Sequence, residues 1–99
     1  MNINKKISDE SIRMLYKAFL TIENEEECAL ILEDICTVTE IQAMAQRLQV
    51  ASMLRHEKPY TEIVDETRAS STTVSRVSRC LNYGNGGYNI VLNRIEGKK

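Results

Sequence analysis

The chain has 99 residues, of which 42% are hydrophobic and 27% are charged, and its formal net charge is −1. This length suits one domain with a core, and the hydrophobic content excludes wholesale disorder. A strand-and-turn sandwich needs a turn signal roughly every 8 to 12 residues, whereas this chain has one proline and four glycines, so the composition favours helices.

The amino-terminal stretch and the cysteines exclude several further classes of protein. The stretch MNINKKISDE has no apolar run behind its lysines, and the longest apolar run, residues 28–32, is too short to cross a bilayer. We therefore expect no signal peptide and no membrane partner. Cys28, Cys36 and Cys80 lack CxxC or Cys/His ligand spacing, so the sequence predicts neither a disulfide framework nor a metal site. Free thiols indicate a reducing compartment, and we expect a cytoplasmic protein.

Charge is unevenly distributed along the chain. Residues 1–36 hold four basic and eight acidic groups, residues 37–67 hold three and five, and residues 68–99 hold six and one. A basic segment of this kind can face a phosphate backbone while the rest of the protein repels it. The alternative is a solvated basic tail, but Lys98 and Lys99 account for only two of the six basic groups.

Two helices are predicted in the first 36 residues. The first begins with Ser8 as its N-cap, and the second begins at Asn24, where Glu27 completes a capping box. The apolar face of the first helix comprises Ile12, Leu15, Tyr16, Phe19 and Ile22. The apolar set of the second, which covers more than half of its circumference, comprises Ala29, Leu30, Ile31, Leu32 and Ile35. A 99-residue monomer has little room to bury the second helix on several sides, so we expect burial against a second copy of the chain.

The longest predicted helix follows a second capping box, formed by Thr37 and Glu40, and ends at Arg55 or His56 because Pro59 prevents its continuation. Its predicted core face comprises Ile41, Met44, Ala45, Leu48, Ala51 and Leu54, with Gln46 and Arg47 off this face. We interpret His56 as a partner for the helix dipole at this end of the helix rather than as a catalytic base.

Two short helices with a brief turn between them follow Pro59. The first spans residues 60–67, and the second begins at Ser70 or Ser71. Its apolar face comprises Val74, Val77 and Leu81, and its opposite face comprises Thr72, Ser75, Arg76 and Arg79. Such a pair has the spacing of a helix-turn-helix, and hydroxyls and arginines suit phosphate oxygens and guanine edges. The alternative is that the serines and threonines merely cap and solvate a surface helix.

Two features flank this second helix. Arg68 lies in the turn where glycine is usual, at a strain of roughly 1 kcal/mol. Behind the helix, residues 84–87 are rich in glycine and predict a hinge rather than a phosphate-binding loop, because no strand precedes them. A closing helix follows, with an apolar repeat at Tyr88, Val91, Leu92 and Ile95.

The order of these parts resembles a known family. From Cys36 to Leu81 the string CTVTEIQAMAQRLQVASMLRHEKPYTEIVDETRASSTTVSRVSRCL resembles the Trp repressor superfamily, and with NYGNGGY behind it the chain looks most like the YerC/YecD branch. The resemblance covers about residues 25–95. It implies an all-α, intertwined homodimer and a transcriptional regulator, of the repressor type, that reads two half-sites in double-stranded DNA.

The resemblance also implies a division of labour within the chain. Residues 1–99 would form a single helical domain, with dimerisation helices at 8–58, the helix-turn-helix at 60–82 and a carboxy-terminal helix at 88–96. The family's DNA contacts fall on Ser71, Thr72, Thr73 and Ser75. Together with the arginines of the turn and the second helix, the predicted DNA-binding set is Arg68, Ser71, Thr72, Thr73, Ser75, Arg76 and Arg79.

A ligand pocket is a further implication of the resemblance. The Trp repressor holds an indole between two arginines, which Arg47 and Arg76 match here, and a carbonyl at the start of the long helix corresponds to Thr37. Val77 stands where the family has glycine, and Cys80 where it has a serine near the ligand's ammonium group. Because filling such a space costs about 1–3 kcal/mol, we predict no cofactor and regard a tryptophan-like corepressor as the weaker alternative. Arg47 and Arg76 would then serve helix packing or phosphate contact.

Two other classes of function are alternatives to a DNA-binding regulator. A dimeric protein-interaction module that does not bind DNA would explain the apolar second helix, but it gives the arginine and hydroxyl face no role. An enzyme is not expected, because the sequence offers no grouping of histidine, cysteine and carboxylate side chains suited to catalysis. We therefore predict no catalytic residue.

Overall fold

The computed structural model describes residues 5–97, and over that range the chain forms six α-helices and no strand. The helices are α1 (Lys5–Leu20), α2 (Glu25–Ile35), α3 (Val38–Arg55), α4 (Tyr60–Thr67), α5 (Ser71–Tyr83) and α6 (Gly87–Glu96). The predicted all-α fold class is confirmed. The chain divides into two compact units, of which the first ends at Val38 and the second begins at Thr39.

Of the two helix starts predicted in the first unit, one is confirmed and the other is wrong. Asn24 caps α2 as predicted, because its Oδ1 accepts a hydrogen bond of 2.8 Å from the backbone N–H of Glu27. The Glu27 carboxylate in turn accepts from the N–H of Glu23 at 3.0 Å. The predicted N-cap at Ser8 is wrong, because α1 begins at Lys5. Neither proline nor glycine precedes Ser8, so the local sequence does not stop the helix there.

Large apolar side chains on α1 and α2 are exposed in the single chain. Leu30 is 65% exposed and Tyr16 61% exposed, and α2 contains no buried residue. Contiguous exposed apolar surface on a globular protein marks an interaction site. This exposure supports the prediction that these helices are buried against a second copy of the chain.

The core of the second unit brings α3 to α6 together. Its buried apolar residues are Val50, Ala51, Ile63, Ala69, Val74, Val77 and Leu92. Of the predicted core face of α3, Ala51 is buried, while Met44 and Ala45 are exposed in the single chain, and Val50, which was not predicted, is fully buried. Only the carboxy-terminal half of α3 contributes to this core, so the neighbouring helices rather than a single stripe decide which positions are buried.

Polar contacts tie α6 to the end of α3. Ser52 Oγ donates to Glu96 Oε2 at 2.9 Å, and the Arg55 guanidinium donates to the Asn89 carbonyl oxygen at 3.3 Å and to Asn93 Oδ1. His56 Nε2 lies 3.6 Å from Glu96 Oε2, so this histidine faces a carboxylate as well as the end of α3. The closing helix therefore lies against α3 and begins one residue before the predicted position.

The three cysteines are unbridged. Among residues 5–97, no three His, Cys, Asp or Glu side chains are grouped so that they could hold a metal ion. Over the same part of the chain, no helix combines the length and the apolar character needed to span a membrane.

Candidate nucleic-acid interface

The helices α4 and α5 are joined by a three-residue turn, which is the spacing of a helix-turn-helix. Arg68 ends α4 in the left-handed conformation, with φ 63° and ψ 13°, and its N–H donates to the Val64 carbonyl oxygen at 2.9 Å. Ser70 begins α5 as its N-cap, with Oγ accepting from the Thr73 N–H at 3.0 Å. The positive φ predicted for the turn residue Arg68 and the predicted start of α5 are both confirmed.

The turn is also held from outside by α3. Thr67 Oγ1 donates to the Ile63 carbonyl oxygen at 2.7 Å and accepts from the Ala69 N–H at 3.1 Å. Gln46 Nε2 on α3 donates to the Thr67 carbonyl oxygen at 3.1 Å. A carbonyl at the end of a helix lacks an intrahelical partner, so Gln46 satisfies this group and fixes the turn against α3. The sequence placed Gln46 off the core face and gave no sign of this contact.

One face of α5 packs on the core and the opposite face is open. Val74 and Val77 are buried, as predicted. The predicted DNA-binding residues that are exposed are Arg68, Ser71, Thr72, Ser75, Arg76 and Arg79. Thr73 departs from this set because it is half-buried and its hydroxyl accepts from Ser70 Oγ at 3.1 Å. Thr73 therefore belongs to the capped end of the helix rather than to its open face.

Some cations of the second unit are paired within the fold and others are not. Arg55 is bonded to α6, and Lys58 Nζ lies 3.7 Å from the Glu62 carboxylate. By contrast, the guanidinium groups of Arg68, Arg76 and Arg79 have no hydrogen bond or ion pair with any residue that the structure describes. Arginines without internal partners keep all their donors for an external anion. The open face of α5 and the turn thus form a positively charged surface, which we call the α5 surface.

A cavity of about 220 Å³ adjoins this surface, with a lining of Arg47, Thr73, Arg76, Val77, Cys80 and Tyr88. Four of the five residues predicted for a ligand pocket line it, whereas Thr37 lies in the first unit and its role stays a prediction. Val77 is 2% exposed, so its branched side chain is already packed in the core.

Tyr88 in the lining of this cavity and a second cavity beside it were not predicted. The sequence did not place Tyr88 there, because its helical repeat indicated only packing. Arg47 and Arg76 are exposed, which does not support a role in helix packing. A second, largely apolar cavity of about 480 Å³ shares Cys80 and Tyr88 with the first.

The short helix pair and the charged α5 surface belong to an all-helical protein and are consistent with a helix-turn-helix. The family model for the Trp repressor protein matches residues 10–96 of the chain. The chain therefore belongs to the Trp repressor family, a family of regulators, and its relatives place it in the YerC-like branch.

Three relatives support this assignment. The uncharacterized protein YerC from Bacillus subtilis (strain 168) is 45% identical over 91 residues, which cover 92% of this chain and 88% of YerC. A TrpR-like protein from Eubacterium eligens ATCC 27750 has a crystal structure that superposes with a TM-score of 0.87 at 40% identity, covering 97% of this chain and 99% of that chain. The crystal structure of a candidate Trp repressor from Staphylococcus aureus gives a TM-score of 0.86 at 44% identity, covering 97% and 95% of the two chains.

Proposed function

We propose that the protein is a sequence-specific DNA-binding transcriptional regulator, of the repressor type, that acts as a homodimer. The observation that carries this proposal is the α5 surface, where Arg68, Arg76 and Arg79 are exposed without internal partners beside exposed hydroxyl groups. Arginine binds guanine edges and phosphates, and serine and threonine bind phosphate oxygens. In the bacterial relatives the chromosome lies in the cytoplasm, and we propose that compartment for this protein.

The proposed homodimer rests on the exposed apolar faces of α1 and α2. A chain that buried these faces against a second copy would carry two α5 helices related by a twofold axis. Symmetric recognition helices of this class read half-sites about one helical turn of DNA apart, roughly 34 Å. The DNA site should therefore be an inverted repeat.

The proposed regulator binds DNA without tryptophan. The cavity beside Arg76, at about 220 Å³, is smaller than the roughly 300–1,000 Å³ typical of ligand pockets. Val77 and Tyr88 are both part of its lining. The larger cavity of about 480 Å³ beside it has no arginine in its lining, so it does not offer a site between Arg47 and Arg76, and these arginines remain available for phosphate contact.

The second candidate is a dimeric module that binds another protein and not DNA. The exposed apolar residues of α1 and α2 favour it, because a patch of this kind also fits a protein partner. It leaves the three unpartnered arginines of the α5 surface without a role. A DNA-binding dimer instead uses these arginines to bind DNA and the apolar faces of α1 and α2 to dimerise.

Selection of bound duplexes from a random pool, with and without tryptophan, tests the proposal. We expect enrichment of the same inverted repeat in both arms. The double variant with Arg76→Ala and Arg79→Ala should bind much more weakly, whereas Lys58→Ala, which removes a cation already paired with Glu62, should bind like the wild type. If no duplex is retained at low salt, and the double variant behaves like the wild type, the protein is not a DNA-binding regulator.

A further inference from the structure

Tyr83 is a large side chain that the fold does not use. It is 85% exposed, and its hydroxyl has no hydrogen-bond partner among residues 5–97. Burying an aromatic ring is among the largest apolar gains available to a small domain. A tyrosine left open in this way contributes little to the stability of the single chain, and its position on the helix is therefore informative.

Tyr83 lies on the same stripe of α5 as the unpartnered arginines. It follows Arg79 by four residues and Arg76 by seven, and Arg76 in turn follows Thr72 by four. Residues with these spacings share one face of an α-helix. The stripe is opposite the buried Val74, so Tyr83 continues the α5 surface to the end of the helix.

The helix ends immediately after Tyr83, with Gly84 as its C-cap. A Cβ atom at position 84 would lie 2.5 Å from the Cys80 carbonyl oxygen, which is closer than real Cβ contacts. The Gly84 N–H closes the helix by donating to that oxygen at 2.9 Å. The chain therefore turns away at this point and leaves Tyr83 as the last side chain of the stripe.

The position of Tyr83 along the axis of α5 determines which part of the DNA its side chain would contact. At 1.5 Å per residue, Tyr83 lies roughly 10 Å beyond Arg76 along the axis of α5. The major groove is about 12 Å wide, and a recognition helix places its amino-terminal residues against the bases. The far end of the helix then lies over the edge of the groove, where the sugar–phosphate backbone runs.

We infer that Tyr83 is a DNA-backbone contact in which the phenol O–H donates a hydrogen bond to a phosphate oxygen of the strand bordering the groove. This inference rests on the proposed DNA-binding function and adds to it a contact that carries no charge. Tyrosine is one of the side chains that bind phosphate in protein–DNA complexes. The contact strengthens binding to every sequence equally, because the backbone is the same at each site.

Binding of the selected duplex by Tyr83→Phe and Tyr83→Ala over a range of salt concentrations tests the inference. Loss of one hydrogen bond to a charged phosphate in Tyr83→Phe should weaken binding about 10-fold or more per half-site, and Tyr83→Ala should weaken it further. A neutral donor releases no counterion, so the slope of log K against log salt should stay at the wild-type value in both variants. The control is Lys58→Ala, which removes a side chain already paired with Glu62 and should leave affinity unchanged.

Several outcomes would overturn the inference. If Tyr83→Phe and Tyr83→Ala bind like the wild type, there is no contact at this position. If Tyr83→Ala becomes monomeric in a sizing run, the side chain belongs to an interface between copies. If the slope of log K against log salt changes in Tyr83→Phe, the variant has disturbed a charged contact instead. If the wild type itself binds no duplex, the proposed function fails, which is a result distinct from normal binding by both Tyr83 variants.

Discussion

Replacing Arg68 with glycine is expected to stabilise the fold while weakening DNA binding. Arg68 has φ 63° in the turn between α4 and α5, a region where an L-residue is strained and glycine is not. Its guanidinium is exposed and without a partner among the described residues, so the side chain offers the fold no compensating contact. The same substitution removes a cation from the α5 surface.

The size of the stabilisation follows from two opposing terms. Relief of the left-handed strain is worth about 1–2 kcal/mol, while the greater freedom of glycine in the unfolded chain costs about 0.4–1 kcal/mol. The net gain lies between about 0 and 1.6 kcal/mol, and its midpoint of about 0.8 kcal/mol should raise Tm by roughly 3–6 °C in a domain of this size. Arg68→Ala, which removes the same side chain but keeps a Cβ, should show no such gain.

Thermal unfolding and salt-dependent DNA binding, measured on one set of variants, check both halves of the prediction. Arg68→Gly and Arg68→Ala should each lower the salt slope by about 0.9 per half-site, because one phosphate contact is lost. Arg68→Lys keeps both the charge and the strain, and should resemble the wild type in both assays. Equal Tm values for the glycine and alanine variants would refute the strain argument, and an unchanged salt slope would refute the phosphate contact.

Three further substitutions test the turn, the helix start and the apolar face of α2. Gln46→Ala removes the hydrogen bond to the Thr67 carbonyl oxygen. It should lower the free energy of unfolding, measured by urea denaturation, by about 1 kcal/mol. An unchanged denaturation midpoint would contradict the role given to this bond. Ser70→Ala removes the side-chain cap of α5 and should lower the free energy of unfolding by about 1 kcal/mol in the same assay. An unchanged free energy of unfolding would show that the cap does not stabilise the helix. Leu30→Glu should convert the dimer to a monomer in sizing experiments, because Leu30 is 65% exposed in the single chain; a dimer that persists would place the interface elsewhere.

The helix-turn-helix was predictable because its signals are local. Pro59 and Ser70 mark the starts of α4 and α5, and the spacing of Val74 and Val77 fixes the buried face of α5. Each signal acts within a few residues of the structure it determines, and each agrees with the structure. The left-handed turn at Arg68 was likewise predictable, since two helices so close in sequence leave few conformations for the residue that ends the first.

The positions that were missed depend on contacts between distant parts of the chain. Val50 is buried because α4, α5 and α6 cover one half of α3, and Gln46 meets a carbonyl 21 positions away. Neither contact leaves a periodic trace, since both are set by how the helices pack. The start of α1 was missed for a different reason: Ser8 is a good cap by type, but the residues before it are also compatible with a helix.

The salt dependence of DNA affinity tests the central claim most directly. If Arg68, Arg76 and Arg79 of both subunits each meet a phosphate, the slope of log K against log salt for the selected duplex should be roughly −5. The double variant with Arg76→Ala and Arg79→Ala should reduce the slope to roughly −2, whereas Lys58→Ala should leave it unchanged. A slope near zero for the wild type, or equal slopes for the wild type and the double variant, would contradict the assignment of the α5 surface to DNA.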